Sequence, residues 1–334
     1  MEYLLAFGGF FVCCIIIFFA GRKLSWYGDK IAEITGWGKA WVGLILMASV
    51  TSLPELMVGI SSSAIVEAPD LAVGDILGSC AFNLLILAAM DAFVPDHKPI
   101  FSIASASHIL AAALGIILVS MVGFALFLPN EYRLSSWIGI SSLLFTTIYL
   151  SSMRIIYLFE QKKQELIGPD PPKTIQHDLS LNQAWKAYVF YAVIIVVTAL
   201  ALPWFAEKIS TLTGLKESFV GTVFLAISTS LPEVAVSIAS VRMGAIDLAV
   251  GNLLGSNLFN IFILAIDDIF YTKGLLLKDA SDSHISSVLS VIIMSAIVVI
   301  GLTYRIKGKR YFLAWDAVLI LIVYIVNMIV LLNQ

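Results

Sequence analysis

Ten long apolar stretches, separated by short polar segments, dominate the hydrophobic pattern of this chain. Each is close to the ~20 residues that an α-helix needs to cross the hydrocarbon core of a bilayer, so the pattern predicts an all-α polytopic membrane protein. No lysine or arginine precedes the first stretch, which is also longer than the core of a signal peptide, and we interpret it as a retained helix. The predicted spans are residues 3–21, 40–66, 70–93, 103–128, 134–158, 186–206, 217–242, 246–271, 284–304 and 312–332.

One polar segment is long enough to divide the chain into two halves. It contains residues 168–172, which read Gly-Pro-Asp-Pro-Pro, a run that no helix tolerates. We expect a first membrane repeat over residues 1–159, a linker over residues 160–185 and a second membrane repeat over residues 186–334. Each half then contains five transmembrane helices.

The composition agrees with this interpretation and excludes other classes. Of the 334 residues, 60% are hydrophobic and only 13% are charged, whereas a soluble protein is about 25% charged. A net charge of -3 gives no reason to expect a nucleic-acid partner. Three cysteines, two of them adjacent in an apolar stretch, do not make a disulfide framework. The sequence therefore predicts the lipid bilayer as a partner and indicates no obligate protein partner.

Lysine and arginine are distributed unequally between the two sides of the predicted membrane. Of the 20 such residues, 15 lie on the side that holds the central linker. Because cytoplasmic loops carry the excess of positive charge, the linker is expected in the cytoplasm and both termini are expected outside.

The two halves share a repeated motif. Residues 48–55 (ASVTSLPE) return as residues 226–233 (AISTSLPE), and residues 71–79 (LAVGDILGS) return as residues 248–256 (LAVGNLLGS). Since each half has an odd number of spans, the second repeat must run through the membrane in the opposite direction. Inverted repeats with interrupted helices at matching positions indicate a transporter that works by alternating access.

The repeated motifs bring oxygen ligands into apolar segments. Each motif places a glutamate, Glu55 or Glu233, directly after a proline, and a charge at that depth is expensive unless it has a task. The proline also frees backbone carbonyls upstream. Residues four apart share a helix face, and a set of oxygens with two negative charges suits a hard cation, above all Ca²⁺. The side chains that these faces contribute are Thr51, Glu55, Ser79 and Asn83 from the first motif, and Thr229, Glu233, Ser256 and Asn260 from the second.

Other polar residues in the spans have simpler explanations. Hydroxyls in membrane helices usually bond back to a carbonyl or join helices, and Ser61, Ser62 and Ser63 are interpreted as packing residues. Asp91 and Asp268 occupy equivalent places at span ends and are interpreted as interfacial, with a role in the ion path as the alternative. His108, His284 and Asp316 also lie near span ends and are expected to be capped or to reach the interface.

With these motifs the chain resembles the cation/calcium exchanger (CaCA) superfamily, and within it the sodium/calcium exchangers of prokaryotes. The resemblance implies a multi-pass protein of the cytoplasmic membrane, with motifs at residues 48–83 and 226–260. It also implies a Ca²⁺ site built by Thr51, Glu55, Thr229 and Glu233. It further implies Na⁺ sites that share these glutamates and add Ser52, Ser79, Ser230, Ser256 and the carbonyls of Ala48 and Ala226, with Asn83 and Asn260 facing the site.

The chain departs from the family pattern at several positions. Val50 and Ser228 replace a glycine that is usual before the Thr-Ser pair, and Asp75 stands where asparagine is common. Cys80 occupies the position of Asn257 in the second repeat and is interpreted as packing. Asn260 stands where K⁺-coupled relatives carry aspartate, so the resemblance implies K⁺ independence.

These observations together predict an antiporter that exchanges Ca²⁺ for Na⁺. An antiporter of another divalent cation such as Mg²⁺, an H⁺-coupled Ca²⁺ exchanger and, in a different class, a cation channel remain as alternatives. No Ser-Lys, paired catalytic aspartate or His-Glu-x-x-His motif occurs, so the chain is not expected to be an enzyme and no cofactor is predicted beyond the transported ions.

Overall fold

The structure is a computed structural model that describes residues 2–35, 48–94, 98–127, 134–167, 180–242, 244–305, 308–309 and 313–334. These residues form helices and connecting turns, with no β-strand among them. The helices are α1 (Glu2–Thr35), α2 (Ala48–Thr51), α3 (Leu53–Ser61), α4 (Pro69–Met90), α5 (Ile100–Ile103), α6 (Ser107–Phe127), α7 (Ile140–Ile167), α8 (Leu181–Thr213), α9 (Glu217–Val220), α10 (Ala226–Thr229), α11 (Leu231–Arg242), α12 (Ile246–Phe270), α13 (Leu276–Asp279), α14 (His284–Tyr304) and α15 (Trp315–Asn333).

The polytopic helical architecture predicted from the sequence is confirmed. Eight of the described helices are long and apolar enough to cross a membrane, and the bent unit from α9 to α11 makes a ninth. The predicted span over residues 40–66 is represented by α2, α3 and a π-helical turn at Ser62–Val66, while residues 40–47 lie outside the described part of the chain. Residues 168–179 of the linker also lie outside it. Helices α1, α7 and α8 extend beyond their predicted spans, because apolar windows find only the part of a helix that suits lipid.

Both repeated motifs interrupt a helix at the same place. The break falls at Ser52 between α2 and α3, and at Ser230 between α10 and α11. Ser52 (φ -86°, ψ 15°) and Ser230 (φ -82°, ψ 9°) leave the helical region of backbone space just before the prolines, which lack the amide proton that a continuous helix needs. In the second repeat the two segments meet at 46°.

The centre of the molecule is formed by α4 and α12, which pack against each other. Buried residues make up 89% of the apolar window in α4 and 83% in α12. Glycine permits the closest helix contact: a Cβ on Gly78 would overlap the Thr222 carbonyl oxygen in the π-helical turn that precedes α10. This contact brings α4 against the interrupted helix of the opposite repeat.

Helices α1 and α8 lie side by side at the edge of this core. Their contact continues into α3 through a shared cluster of apolar residues. Helix α8 begins with a capping box formed by Ser180 and Gln183 and ends at Gly214, whose φ of 73° suits a residue without a Cβ. Large apolar side chains such as Phe11 and Phe190 are exposed on the outer faces, as expected for surfaces that face lipid.

Candidate functional site

The two breaks bring the predicted glutamates into contact with the opposite repeat. Glu55 and Glu233 are both fully buried. Ser230 Oγ donates a hydrogen bond to Glu55 Oε1 at 3.1 Å, and Ser52 Oγ donates one to Glu233 Oε1 at 3.4 Å. Each repeat therefore supplies a serine, at its own break, to the carboxylate of the other repeat.

The predicted hydroxyls of α4 and α12 join the same group. Ser79 Oγ lies 3.3 Å from Thr229 Oγ1, and Ser256 Oγ lies 3.4 Å from Thr51 Oγ1. Ser256 Oγ also lies 3.5 Å from Glu233 Oε1. Thus α4 contacts the motif of the second repeat and α12 contacts the motif of the first, as pseudo-twofold symmetry requires.

The backbone carbonyl of Ala226 takes part in this group as well. It accepts a hydrogen bond from Thr229 Oγ1 at 3.2 Å and is reached by Ser79 Oγ at 3.5 Å. In the first repeat, Ala48 begins α2, and its side chain lies outside the described part of the chain. Ser228 Oγ bonds back to the Phe224 carbonyl at 2.6 Å, so this departure from the family glycine satisfies its hydroxyl within its own helix.

One oxygen of each glutamate has no hydrogen-bond partner among the described residues: Oε2 of Glu55 and Oε2 of Glu233. A buried, charged oxygen without a partner is costly, so this arrangement favours a bound cation or proton. No cluster of three or more His, Cys, Asp or Glu side chains suitable for a metal occurs among the described residues. A cation would therefore be held by two carboxylates together with hydroxyl and carbonyl oxygens, which is a hard, all-oxygen ligand set.

Each of the two predicted asparagines contacts a residue of the opposite repeat. Asn83 Nδ2 donates to Asn257 Oδ1 at 3.0 Å, while Asn260 Nδ2 makes a long contact of 3.9 Å with Cys80 Sγ. Asn257 Nδ2 in turn donates to the Cys80 carbonyl at 3.1 Å. Asn83 Oδ1 and Asn260 Oδ1 are buried and have no partner in the described residues. These two acceptors remain available to a cation.

Asp75 belongs to this region, although the sequence analysis did not include it among the ligands. Its Oδ1 accepts a hydrogen bond from Thr229 Oγ1 at 3.1 Å, and its Oδ2 is buried without a partner in the described part of the chain. The equivalent contact of the other repeat joins Thr51 Oγ1 to Asn252 Oδ1 at 3.4 Å. The signal for Asp75 was its difference from Asn252 at a position that otherwise repeats.

Asp91 and Asp268 lie outside this group and anchor the chain at the ends of α4 and α12. Asp91 accepts hydrogen bonds from the backbone N–H groups of Ile100 and Ala314, at 2.7 Å each. Asp268 accepts from those of Gly139 (2.8 Å) and Leu276 (3.0 Å). Their oxygens are used by the fold, which supports the interfacial interpretation over a role in the ion path.

The two histidines are paired at the starts of the same helices. His108 Nε2 lies 3.1 Å from Asp247 Oδ1, and His284 Nε2 lies 2.9 Å from Asp70 Oδ1. The two pairs are related by the repeat. The histidines therefore join the starts of α6 and α14 to the starts of α12 and α4, and they do not contact the glutamates, as expected from their positions near span ends.

Fold and site together define a polytopic helical membrane protein with a buried, oxygen-lined site between two inverted repeats. A family model described as sodium/calcium exchanger protein matches residues 5–154 and 184–333. The chain belongs to this family.

Individual relatives agree with this assignment. The inner membrane protein YrbG of Escherichia coli is 27% identical over 266 residues, which are 78% of each chain. The sodium/calcium exchanger MaX1 of Methanosarcina acetivorans is 33% identical over 129 residues, which cover 38% of this chain and 33% of that protein. Among solved structures, the sodium-calcium exchanger NCX_Mj soaked with Na⁺ and Sr²⁺ superposes with a TM-score of 0.62, at 22% identity, over 98% of both chains. The polytopic fold with inverted repeats is thereby established.

Proposed function

We propose that this protein is an antiporter that exports Ca²⁺ in exchange for Na⁺ entering down its gradient. The observation that carries the proposal is the reciprocal pairing of Ser52 with Glu233 and of Ser230 with Glu55, which leaves one oxygen of each buried carboxylate free for a cation. The relatives MaX1 and NCX_Mj, both named sodium/calcium exchangers, support the choice of these two ions.

The contacts support a division of ligands between the ions. Ca²⁺ would take the two glutamates, which balance its charge, with hydroxyls from the two threonines. Na⁺ would use the glutamates as well, together with hydroxyls and carbonyls on either side, which suit a smaller charge per ion. The Ca²⁺ ligands proposed are Thr51, Glu55, Thr229 and Glu233, and the additional Na⁺ ligands or lining groups are Ala48, Ser52, Ser79, Asn83, Ala226, Ser230, Ser256 and Asn260.

Exchange would follow from competition at the shared glutamates. The two carboxylates neutralise either one divalent ion or monovalent ions, but not both loads at once. Binding of one ion then weakens the other, and thermodynamic linkage makes the effect mutual. Coupling needs no direct contact between the two ions in this scheme.

Alternating access would come from movement of α1 and α8 along the core. Helix α1 contacts the interrupted helix of the second repeat on both sides of its break. A Cβ on Gly21 would overlap Pro232, and Cys14 Sγ lies 3.1 Å from Ser228 Oγ. Sliding of α1 would therefore displace residues on both sides of the break at Ser230. We further propose that both termini lie outside and the linker in the cytoplasm, because of the lysine and arginine distribution.

Counterflow in proteoliposomes separates an exchanger from a channel. Vesicles loaded with Na⁺, or with choline as the control, are diluted into radioactive Ca²⁺ without Na⁺, with the membrane potential clamped by an ionophore. An exchanger takes up Ca²⁺ only with Na⁺ inside. Equal uptake into choline-loaded vesicles would contradict the proposal and favour a channel, while uptake driven by internal Mg²⁺ or by a pH gradient would point to a related antiporter.

A further inference from the structure

Asp267, near the end of α12, is a buried carboxylate that the proposed exchange site does not use. Its side chain is fully buried. Neither of its carboxylate oxygens has a hydrogen-bond partner among the described residues. Its neighbour Asp268, by contrast, accepts hydrogen bonds from the backbone N–H groups of Gly139, just before α7, and of Leu276, at the start of α13. An ionised carboxylate without a partner is strongly disfavoured in such a place, because burial removes the hydration of the charge.

The fold makes room for this carboxylate through a glycine. A Cβ added to Gly59 of α3 would overlap both carboxylate oxygens of Asp267. The repeat does not reproduce this pair: the position equivalent to Asp267 is Met90, and the position equivalent to Gly59 is Ser237. Gly59 and Asp267 therefore form a contact that belongs to one repeat only, which is why comparison of the two motifs does not reveal it.

The pair of Gly59 and Asp267 lies between one end of α3 and α12 and the central site, which is the proposed exchange site around Glu55 and Glu233. Helices α3 and α12 run side by side. Thr51 is near Ser256 at the level of the central site, Gly59 contacts Asp267 further along, and Glu67 forms an ion pair of 3.1 Å with Lys273 beyond the helix ends.

The charged groups around Asp267 are acidic. Asp75 on α4 and Asp268 on α12 itself act on it electrostatically, and both add negative potential. Glu55 lies one turn before Gly59 on α3, and Glu233 of α11 contacts α12 at Ser256.

The basic side chains on the neighbouring elements, among the described residues, have partners other than Asp267. Helix α7 has no charged residue before Arg154, and His108 of α6 is paired with Asp247 at the opposite end of α12. Lys273 is paired with Glu67 at the surface, and Lys278 of α13 donates to the Leu126 carbonyl. None of these groups neutralises Asp267.

We propose that Asp267 is a proton-binding site, occupied when the central site is empty and released when cations fill it. A proton fits better than a metal ion because it needs no coordination shell, and the described residues give Asp267 no further ligand oxygen within hydrogen-bond distance. The coupling rests on the proposed exchange function, whereas occupancy by a proton does not.

The release step is a simple ionisation. The O–H bond of the Asp267 carboxyl breaks, its electron pair stays on the carboxylate oxygen, and the proton passes to water. Positive charge arriving at the central site favours the ionised form of every nearby carboxyl through the Coulomb field. By linkage, a high proton concentration must weaken cation binding by the same amount.

Proton release upon Ca²⁺ binding measures this coupling directly. Ca²⁺ is added to purified protein in weak buffer containing a pH-sensitive dye, first with the parent and then with Asp267→Asn. The parent should release up to one proton per chain more than the variant, and the two should differ in Ca²⁺ affinity at alkaline pH but converge at acid pH. Asp282→Asn, which removes an exposed carboxylate, is the matched control and should behave like the parent. Equal release from Asp267→Asn and the parent would overturn the proposal.

Infrared spectroscopy tests occupancy without transport. A variant carrying Glu55→Gln, Asp75→Asn and Glu233→Gln removes the other buried carboxyls that have an oxygen without a partner among the described residues. Adding Asp267→Asn to this triple variant identifies the band that belongs to Asp267. The carbonyl band of a protonated carboxylic acid should persist in the triple variant at neutral pH. Its absence, or its loss upon addition of Na⁺ alone, would overturn the proton assignment, the latter in favour of a Na⁺ site. If the band persists in the triple variant and the parent protein fails the counterflow assay, the proton site is retained and the exchange function is rejected.

Discussion

Replacing either buried glutamate by glutamine separates the effect of its charge on ion binding from its effect on the stability of the fold. Glu55→Gln and Glu233→Gln keep the side-chain volume and remove one negative charge. In each glutamate one oxygen accepts a serine hydroxyl and the other has no partner in the described residues. The amide oxygen can still accept the serine hydrogen bond, so the ion-free variants should be as stable as the parent or slightly more stable.

The cost to Ca²⁺ binding is much larger. Removing one partner of a buried charge pair costs roughly 3–5 kcal/mol. Since about 1.4 kcal/mol corresponds to a tenfold change in Kd, each variant should bind Ca²⁺ at least about a hundredfold more weakly. Transport should then fall to background at Ca²⁺ concentrations that saturate the parent.

Thermal unfolding with and without Ca²⁺ reports both effects in one assay. A ligand at ~100 times its Kd stabilises the folded state by about 2.7 kcal/mol, so the parent should show a clear rise in Tm. Each glutamine variant should keep the ion-free Tm and lose the Ca²⁺-dependent rise, while Asp282→Asn keeps both. A normal Ca²⁺-dependent rise together with near-normal Ca²⁺ flux in either glutamine variant would refute the assignment of the glutamates.

One ion replacement and three further substitutions probe the surroundings of the glutamates. Because Asn260 is an amide, Na⁺-driven Ca²⁺ flux should be unchanged when choline replaces K⁺ on both sides. The substitution Asn260→Asp should make the flux more pH-dependent between pH ~6 and ~9, since clustered carboxylates bind protons in competition with cations. Superimposable pH profiles of the parent and the variant would remove Asn260 from the site. Asp75→Asn should keep the fold but weaken Na⁺ binding roughly tenfold through loss of a charged partner of Thr229, and an unchanged Na⁺ dependence of the flux would show that this charge is not felt. Gly78→Ala should destabilise the protein by about 1–3 kcal/mol in denaturant unfolding, because the new methyl group overlaps the Thr222 carbonyl, and parental stability would contradict that contact.

The sequence was sufficient to predict the architecture and the positions of the two interrupted helices. Hydrophobic stretches predicted the helical membrane fold because each span must bury its own backbone polar groups. The repeat of Pro54-Glu55 as Pro232-Glu233 predicted two interrupted helices, since proline cannot donate the missing hydrogen bond. The proposed ligand set came from the same repeat and remains a prediction.

Contacts that depend on how helices cross could not be predicted in this way. The pairing of Ser52 with Glu233 joins residues 181 positions apart, and no sequence spacing specifies that approach. Asp267 and Asp268 are adjacent aspartates, yet Asp268 accepts backbone hydrogen bonds from Gly139 and Leu276, whereas Asp267 has no partner among the described residues. Comparison of the repeats identified Asp268, because Asp91 is its counterpart. It did not identify Asp267, because the equivalent residue is Met90.

The most direct test of the central claim is Ca²⁺ uptake into proteoliposomes under an imposed gradient of Na⁺, K⁺ or H⁺, one at a time. The account predicts that an outward Na⁺ gradient alone drives concentrative uptake of Ca²⁺, and that Glu55→Gln and Glu233→Gln both abolish it. Uptake driven by the H⁺ or K⁺ gradient but not by Na⁺, or uptake that persists in both glutamine variants, would contradict it.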